Sequence, residues 1–466
     1  MFRKLFVVFA LIGILQCQTQ GGAPGAPQWT QVTGKLSNTI EVTMARTRDG
    51  VLHVVWPAQT GPHKMAYQHA TLSPEGAFTL RQPILSDWDS LANAALIVER
   101  DGSLRLLFGG VQREGSNDIF SLGSLYTATA PASGEHWNLA SAAQSSNRTA
   151  YVGPVAATLD RNGTPVGAWA ASDALTVQVG LGTGKATQNV SNGCCPYQPA
   201  LATDAQSGET VVAWYSNVSR SEGIWVKTIA PSAGQPKLVP DTVTVYAGAP
   251  ASVSLDQTAA LAARIGGPGL YVAYPEGYPT YKSVDLWRVG AETQVKLATV
   301  NGARGVGISP APEGRLWVMW ASGGRFYAVR SNKAVTRFGA VISVAPPPGV
   351  DVTYRTKGEG SAGPLDLFAH VETGGPVATW TTHILPPLQV SATARTAAGK
   401  PPSVAVLVSD VGDAVAGANV ELNGKTAKTD VEGRAVFELE AVPKPGLKVT
   451  VTATGYAPAS ATVGGR

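Results

Sequence analysis

One short unit recurs along this chain and limits what it can fold into: a turn containing glycine, then a β-branched run closed by an aromatic. The copies run Asp49-Gly50 to Trp56, Asp101-Gly102 to Phe108, Asn162-Gly163 to Trp169, Ser207-Gly208 to Trp214, Pro268-Gly269 to Tyr274, Glu313-Gly314 to Trp320 and Gly374-Gly375 to Trp380. Their closing aromatics lie 45 to 61 residues apart, room for one four-stranded sheet with loops of varying length. A single such sheet cannot cover its own apolar faces, so the copies must stack around an axis, with Trp56, Trp169, Trp214, Trp320 and Trp380 as core between neighbours. The expected fold is all-β, a β-propeller of seven blades, with six or eight as the alternatives. On this reading the last copy supplies two strands before Pro386-Pro387, and residues 29–34 complete its outer edge.

Composition agrees with a folded, turn-rich chain. Of 466 residues 15% are charged, while glycine contributes 52 and proline 32. A formal charge of +4 is too small for a protein that coats nucleic acid. Residues 1–17 read as a leader, with Arg3 and Lys4 ahead of an apolar run too short to span a bilayer. Ile14-Leu15-Gln16-Cys17 resembles a lipobox, which would make Cys17 a lipidation site, with ordinary cleavage as the alternative. Residues 18–27 form a flexible tether, residues 28–386 the propeller and residues 387–466 a small β-sandwich. The protein is therefore expected to be exported, to the cell envelope or beyond it. Once Cys17 is set aside, Cys194 and Cys195 remain as an adjacent pair in an oxidising compartment, either a strained vicinal disulfide or two thiols.

The turn signals Ala416-Gly417-Ala418, Asp430-Val431-Glu432-Gly433 and Gly455-Tyr456-Ala457-Pro458 resemble those of bacterial Ig-like and carboxypeptidase-regulatory-like domains. That resemblance implies a spacer or adhesive module, one route to a protein partner. The body, with Gly193-Cys194-Cys195-Pro196 before an inner strand and Gly134-Glu135-His136-Trp137 as a degenerate Asp-box, resembles the sialidase-type propeller superfamily. The Arg-Ile-Pro signature of active sialidases is absent from it.

In a propeller the loops from outer to inner strands, and from second to third strands, meet at one mouth of the axis, where function is expected. Those loops offer Trp88, Arg113, Arg148, Tyr197, Arg220, Tyr281, Arg304 and Arg325 as ligand-binding residues. The resemblance implies a chemistry of arginines on a substrate carboxylate, a tyrosine activated by a glutamate, and an acid. Asp87, Asp89, Glu222, Glu276 and Tyr278 are the candidates for the catalytic parts. No cofactor or metal is expected, since the six histidines show no ligand spacing. The leading expectation is a surface-tethered protein that binds a glycan or other extracellular polymer. The alternatives are an exo-glycosidase of sialidase type and a protein-interaction scaffold. Neither nucleic acid nor, apart from the lipid anchor, a membrane is an expected partner.

Overall fold

The computed structural model describes residues 28–36, 41–62, 64–111, 124–143, 154–170, 174–182, 184–192, 196–216, 223–240, 242, 259–277, 280–396, 399–443 and 446–464. Among them, seven antiparallel sheets follow one another along the chain, each running from an inner to an outer strand. The inner strands are Thr43–Arg46, Ala95–Val98, Val155–Leu159, Pro196–Thr203, Ala260–Ala263, Arg304–Pro310 and Val350–Glu359. Each inner strand touches the next, and Val350–Glu359 returns to Thr43–Arg46, so the sheets close into a ring around an axis. The fold is an all-β propeller. No helix among the described residues is long and apolar enough to cross a membrane.

Closure uses the start of the chain. Thr30–Gln31 is the outer strand of the seventh sheet, with Thr30 opposite Thr381 and Gln31 opposite Trp380. The seventh sheet corrects one detail of the repeat, because it takes three strands from the chain's end rather than two: Val350–Glu359, Leu365–Thr373 and Val377–Ile384. Its second strand is Leu365–Thr373, so the aromatic equivalent to Trp56 is the buried Phe368. Trp380 lies on the third strand, where Gly374-Gly375 imitates the repeat turn. Trp56, Trp169, Trp214 and Trp320 are buried between neighbouring sheets, as their positions require.

The turns joining inner to second strands form the base of the ring, and arginines stitch them together. Arg48 donates to the Arg100 carbonyl at 2.6 Å, Arg100 to the Arg161 carbonyl, and Arg264 to the Gly314 carbonyl at 2.7 Å. The turn glycines are the seats for these side chains. A Cβ on Gly163 would lie 2.4 Å from Arg100 Cδ, and one on Gly208 2.5 Å from Arg161 Cδ. Each glycine also holds a positive φ that other residues adopt at a cost, so the repeat needs it twice over.

Between the first two sheets, His53 and His69 stack with ring centroids 5.2 Å apart and share a 3.0 Å Nδ1···Nε2 hydrogen bond. The Gly134–Trp137 turn of the degenerate Asp-box lies against them: a Cβ at Gly134 would sit 2.4 Å from His69 Cε1. Burial lowers His53 to about 4, with Asp49 opposing and Arg81 assisting. Burial, helped by His53 and Arg81, lowers His69 to about 3. Both imidazoles take up protons near 6.5 once unfolded, so stability holds above that pH and is lost as pH falls from 6.5 towards 4 and 3. The loss is at most about 1.4 kcal/mol per pH unit for each ring. Thermal unfolding of a His53→Asn/His69→Gln variant should show a shallower dependence between pH 7 and 5 than the parent; equal slopes would dismiss the pair as its source.

After Ile384 the chain builds two further sheets, one of Gln389–Arg395, Ser403–Asp410, Asp413–Ala414 and Arg434–Glu438, the other of Lys425–Lys428, Asn419–Leu422, Lys448–Thr452 and Ala459–Thr462. Val404, Val406, Val408, Val420, Leu422, Phe437, Val449 and Val451 alternate inward and fill the space between them. Asp430 caps its turn by accepting from the Glu432 and Arg434 amides. The pair is clamped to the base of the sixth sheet. Asp410 accepts from Arg330 at 2.7 Å and from the Tyr456 hydroxyl at 3.1 Å, and Arg315 reaches Asp413 at 2.9 Å. Asp410 and Arg315 are each 1% exposed, and the Arg330 guanidinium packs over the rings of Trp317 and Tyr456.

Candidate functional site

A cavity of about 300 Å³ opens on the axis, lined by residues from the inner-strand segments of all seven sheets. It exists because those segments present small side chains there, among them Ala94, Ala200, Ala260, Gly307 and Gly358. The sixth and seventh sheets also press together at glycines. A Cβ on Gly305 would lie 2.7 Å from the Thr356 nitrogen, and one on Gly307 2.8 Å from the Thr356 carbonyl oxygen.

Among the described residues, the charged side chains lining the cavity are Glu41, Arg355 and Lys357. Glu41 precedes the first inner strand, and its amide donates to Asn93 Oδ1 at 2.9 Å. Its carboxylate takes Arg355 on one oxygen at 2.7 Å and Lys357 on the other. Burial alone would raise the Glu41 carboxyl, but the two cations outweigh it and hold the group at about 2. Glu41 is therefore a fixed anion and no proton donor at neutral pH. One carboxylate against two cations leaves this trio one positive charge, and the Lys357 side chain, 39% exposed, is its open part.

Two further groups stand elsewhere on the sheets, outside the lining of the cavity. On the seventh sheet the Tyr354 hydroxyl donates to Glu372 at 2.9 Å. On the fifth, Ser283 Oγ lies 2.8 Å from Glu276 Oε2 and 2.7 Å from Asp285 Oδ2.

The residues singled out from sequence fare unevenly, and none of those among the described residues lines the cavity. Trp88 is a correction: it is 1% exposed, with its ring edge-on to Phe108 and Tyr126 and seated on Gly110, so it anchors the core and cannot meet a ligand. Tyr281 is corrected likewise, being buried in the core shared by the fifth and sixth sheets. Asp87 is exposed, at φ 68°, and pairs with Lys64 at 3.1 Å; the Asp89 amide donates to the Val111 carbonyl. Glu276 sits at the end of its strand beside Ser283. Arg304 begins the sixth inner strand, and Arg325, also exposed, donates to Ser343 Oγ at 2.8 Å. Tyr197 lies on the strand Pro196–Thr203, opposite Tyr215. Cys17, Arg113, Arg148, Cys194, Cys195, Arg220, Glu222 and Tyr278 lie outside the described residues.

Sequence reading missed Glu41, Asn93, Arg355, Lys357, Tyr354, Glu372 and Asp285. One signal was present: Arg355 and Lys357 alternate on a strand, at the level where the other inner strands carry small or apolar residues.

No family model and no curated protein matches the sequence. Among solved structures the chain is similar to the GH93 α-L-arabinofuranosidase of Fusarium graminearum, at 10% identity and a TM-score of 0.46, over 76% of this chain and 95% of that one. It is similar to the intramolecular trans-sialidase of Ruminococcus gnavus at 8% identity and a TM-score of 0.41, over 60% and 89% of the two chains. A protein of unknown function from Dyadobacter fermentans overlaps at 8% identity and a TM-score of 0.44, over 75% and 96%. The chemistry is accordingly read from this chain's own residues.

Proposed function

We propose that this is an exported binding protein whose axial cavity receives an acidic group of a glycan or other extracellular polymer. The observation that carries the reading is the convergence of Arg355 and Lys357 on the single carboxylate of Glu41, inside a cavity lined by all seven inner-strand segments. Arg355 stays paired with Glu41, while the half-exposed Lys357 ammonium swings to an incoming carboxylate. A charge-assisted hydrogen bond of this kind contributes about 1.5–3 kcal/mol. Export, a lipid anchor at Cys17 and a protein partner for the C-terminal sheet pair belong to the same proposal.

Calorimetric titration with polygalacturonate, sialyllactose and a neutral galactan tests it. The acidic ligands should bind, and Lys357→Ala should weaken them about tenfold or more. Equal affinity for the neutral galactan, or no effect of Lys357→Ala, would reject an acidic ligand at this cavity.

A second reading, exo-glycoside hydrolysis, is favoured by the Tyr354–Glu372 contact: a carboxylate placed to take the phenol proton could make the phenolate a nucleophile. Turnover of fluorogenic glycosides that disappears in Tyr354→Phe would establish it.

A further inference from the structure

The fifth sheet buries an arrangement that the axial cavity does not explain. Ser283 Oγ stands within hydrogen-bond reach of two carboxyl groups, Glu276 at 2.8 Å and Asp285 at 2.7 Å. A hydroxyl has one hydrogen and can donate to only one of them. The second contact is favourable only if a carboxyl donates in return, which requires a proton on the pair. Burial strengthens the requirement, since Asp285 is 0% and Ser283 2% exposed and Asp285 Oδ1 meets no hydrogen-bond partner. Two ionised carboxylates in such a place would repel each other, and the Lys296 charge on the neighbouring strand is too weak an offset to keep the Asp285 carboxyl from being raised.

We propose that Glu276 and Asp285 share one proton across Ser283 at neutral pH, and that the pair is an acid/base group of this sheet's rim, with Asp285 as the positioning residue acting on Glu276. Glu276 is the member that can meet a ligand, because it ends its strand and is only half-buried, whereas Asp285 is sealed in. The groups acting on Asp285 are Glu276 from the strand Leu270–Glu276, Ser283 from its own strand and Lys296 from Val295–Thr299. The same face carries Tyr274 and Trp287 into the core shared with Tyr215, Ile224 and Val226 of the fourth sheet. Burial, with Glu276 assisting and Ser283 and Lys296 opposing, pushes Asp285 up to about 7, while hydrogen bonds from Asp285 and Ser283 lower Glu276. The proton therefore resides mainly on Asp285 and is relayed through the hydroxyl.

The role as acid and base rests on the hydrolase reading. The shared proton passes to the glycosidic oxygen as its bond to the anomeric carbon breaks and the Tyr354 oxygen bonds to that carbon. Water then displaces the tyrosine oxygen and returns a proton to the pair, so charge and atoms balance.

Infrared difference spectroscopy on the full chain tests the shared proton without needing activity. A protonated-carboxyl C=O stretch should be present near neutral pH, titrate away around pH 7 and vanish in Asp285→Asn. Glu276→Gln, at a half-buried site that should fold regardless, should move the midpoint down by about one pH unit, because a neighbouring carboxylate no longer opposes ionisation. No band, or a midpoint untouched by Glu276→Gln, overturns the dyad whatever the activity. A band with no turnover across a panel of methylumbelliferyl glycosides overturns the acid/base role and the hydrolase reading, leaving only the shared proton. Turnover whose alkaline limb shifts in Asp285→Asn supports the whole.

Discussion

Replacing Asp410 by alanine should cost about 3–5 kcal/mol of stability, the usual penalty for stranding a buried charge. The carboxylate is 1% exposed and accepts from Arg330 at 2.7 Å and from Tyr456, with the Arg315 guanidinium at 3.5 Å. Without it Arg330 keeps its place over Trp317 and Tyr456 but loses its counter-charge, and Arg315 retains only Asp413. Thermal or urea unfolding checks this, and a loss under about 1 kcal/mol would mean that water enters the interface, as at a surface pair. Burial also raises the Tyr456 hydroxyl, with Asp410 assisting, so its titration should move towards ordinary phenol behaviour in the same variant.

Gly305→Ala is the second large effect, expected at about 3 kcal/mol or more. The position has φ 53°, which costs a side chain about 1–2 kcal/mol. The new Cβ would press on backbone, 2.7 Å from the Thr356 nitrogen and 2.9 Å from Arg355 Cα, where nothing can rotate away. Arg355 and Lys357 ride on that strand, so ligand affinity should fall together with stability. Gly302→Ala is the control: its φ is 72°, but no atom lies within 4 Å of the added carbon, and about 1 kcal/mol of backbone strain is all it should lose. Equal losses at the two positions would show that the contact between the sixth and seventh sheets is slack.

The propeller was legible in the sequence because its rule is local: a turn containing glycine, a buried β-branched run and an aromatic that needs a neighbouring sheet. The rule misled where a second turn copied it. Gly374-Gly375 and Trp380 look like the repeat, while the chain uses Gly363 and Phe368, whose Asp366 is spent on Arg46 and His383. Trp88 shows the limit of reading loops as surface, since the short strand Ile84–Trp88 folds back onto Lys64–Leu72 and plants its indole over Gly110. The cavity was out of reach for a geometric reason. Which residues of an inner strand face the axis depends on register, and the seventh inner strand shifts register between Thr353 and Arg355. Alternation counted from the strand's start therefore gives the wrong face. Glu41 is harder still, because its partners lie more than three hundred residues away along the chain.

Pairing Thr30–Gln31 with Thr381 and Trp380 has a consequence for how the molecule is made. Thr30–Gln31 has no partner until Trp380 and Thr381, about 350 residues further along, have been made. Loop entropy grows only with the logarithm of length, so this long-range union weakens the finished protein little, but it makes the last folding step a slow search. Until that search ends, one sheet edge stays open to any neighbouring nascent chain, and a holdase that shields it would raise the yield more than any gain in native stability.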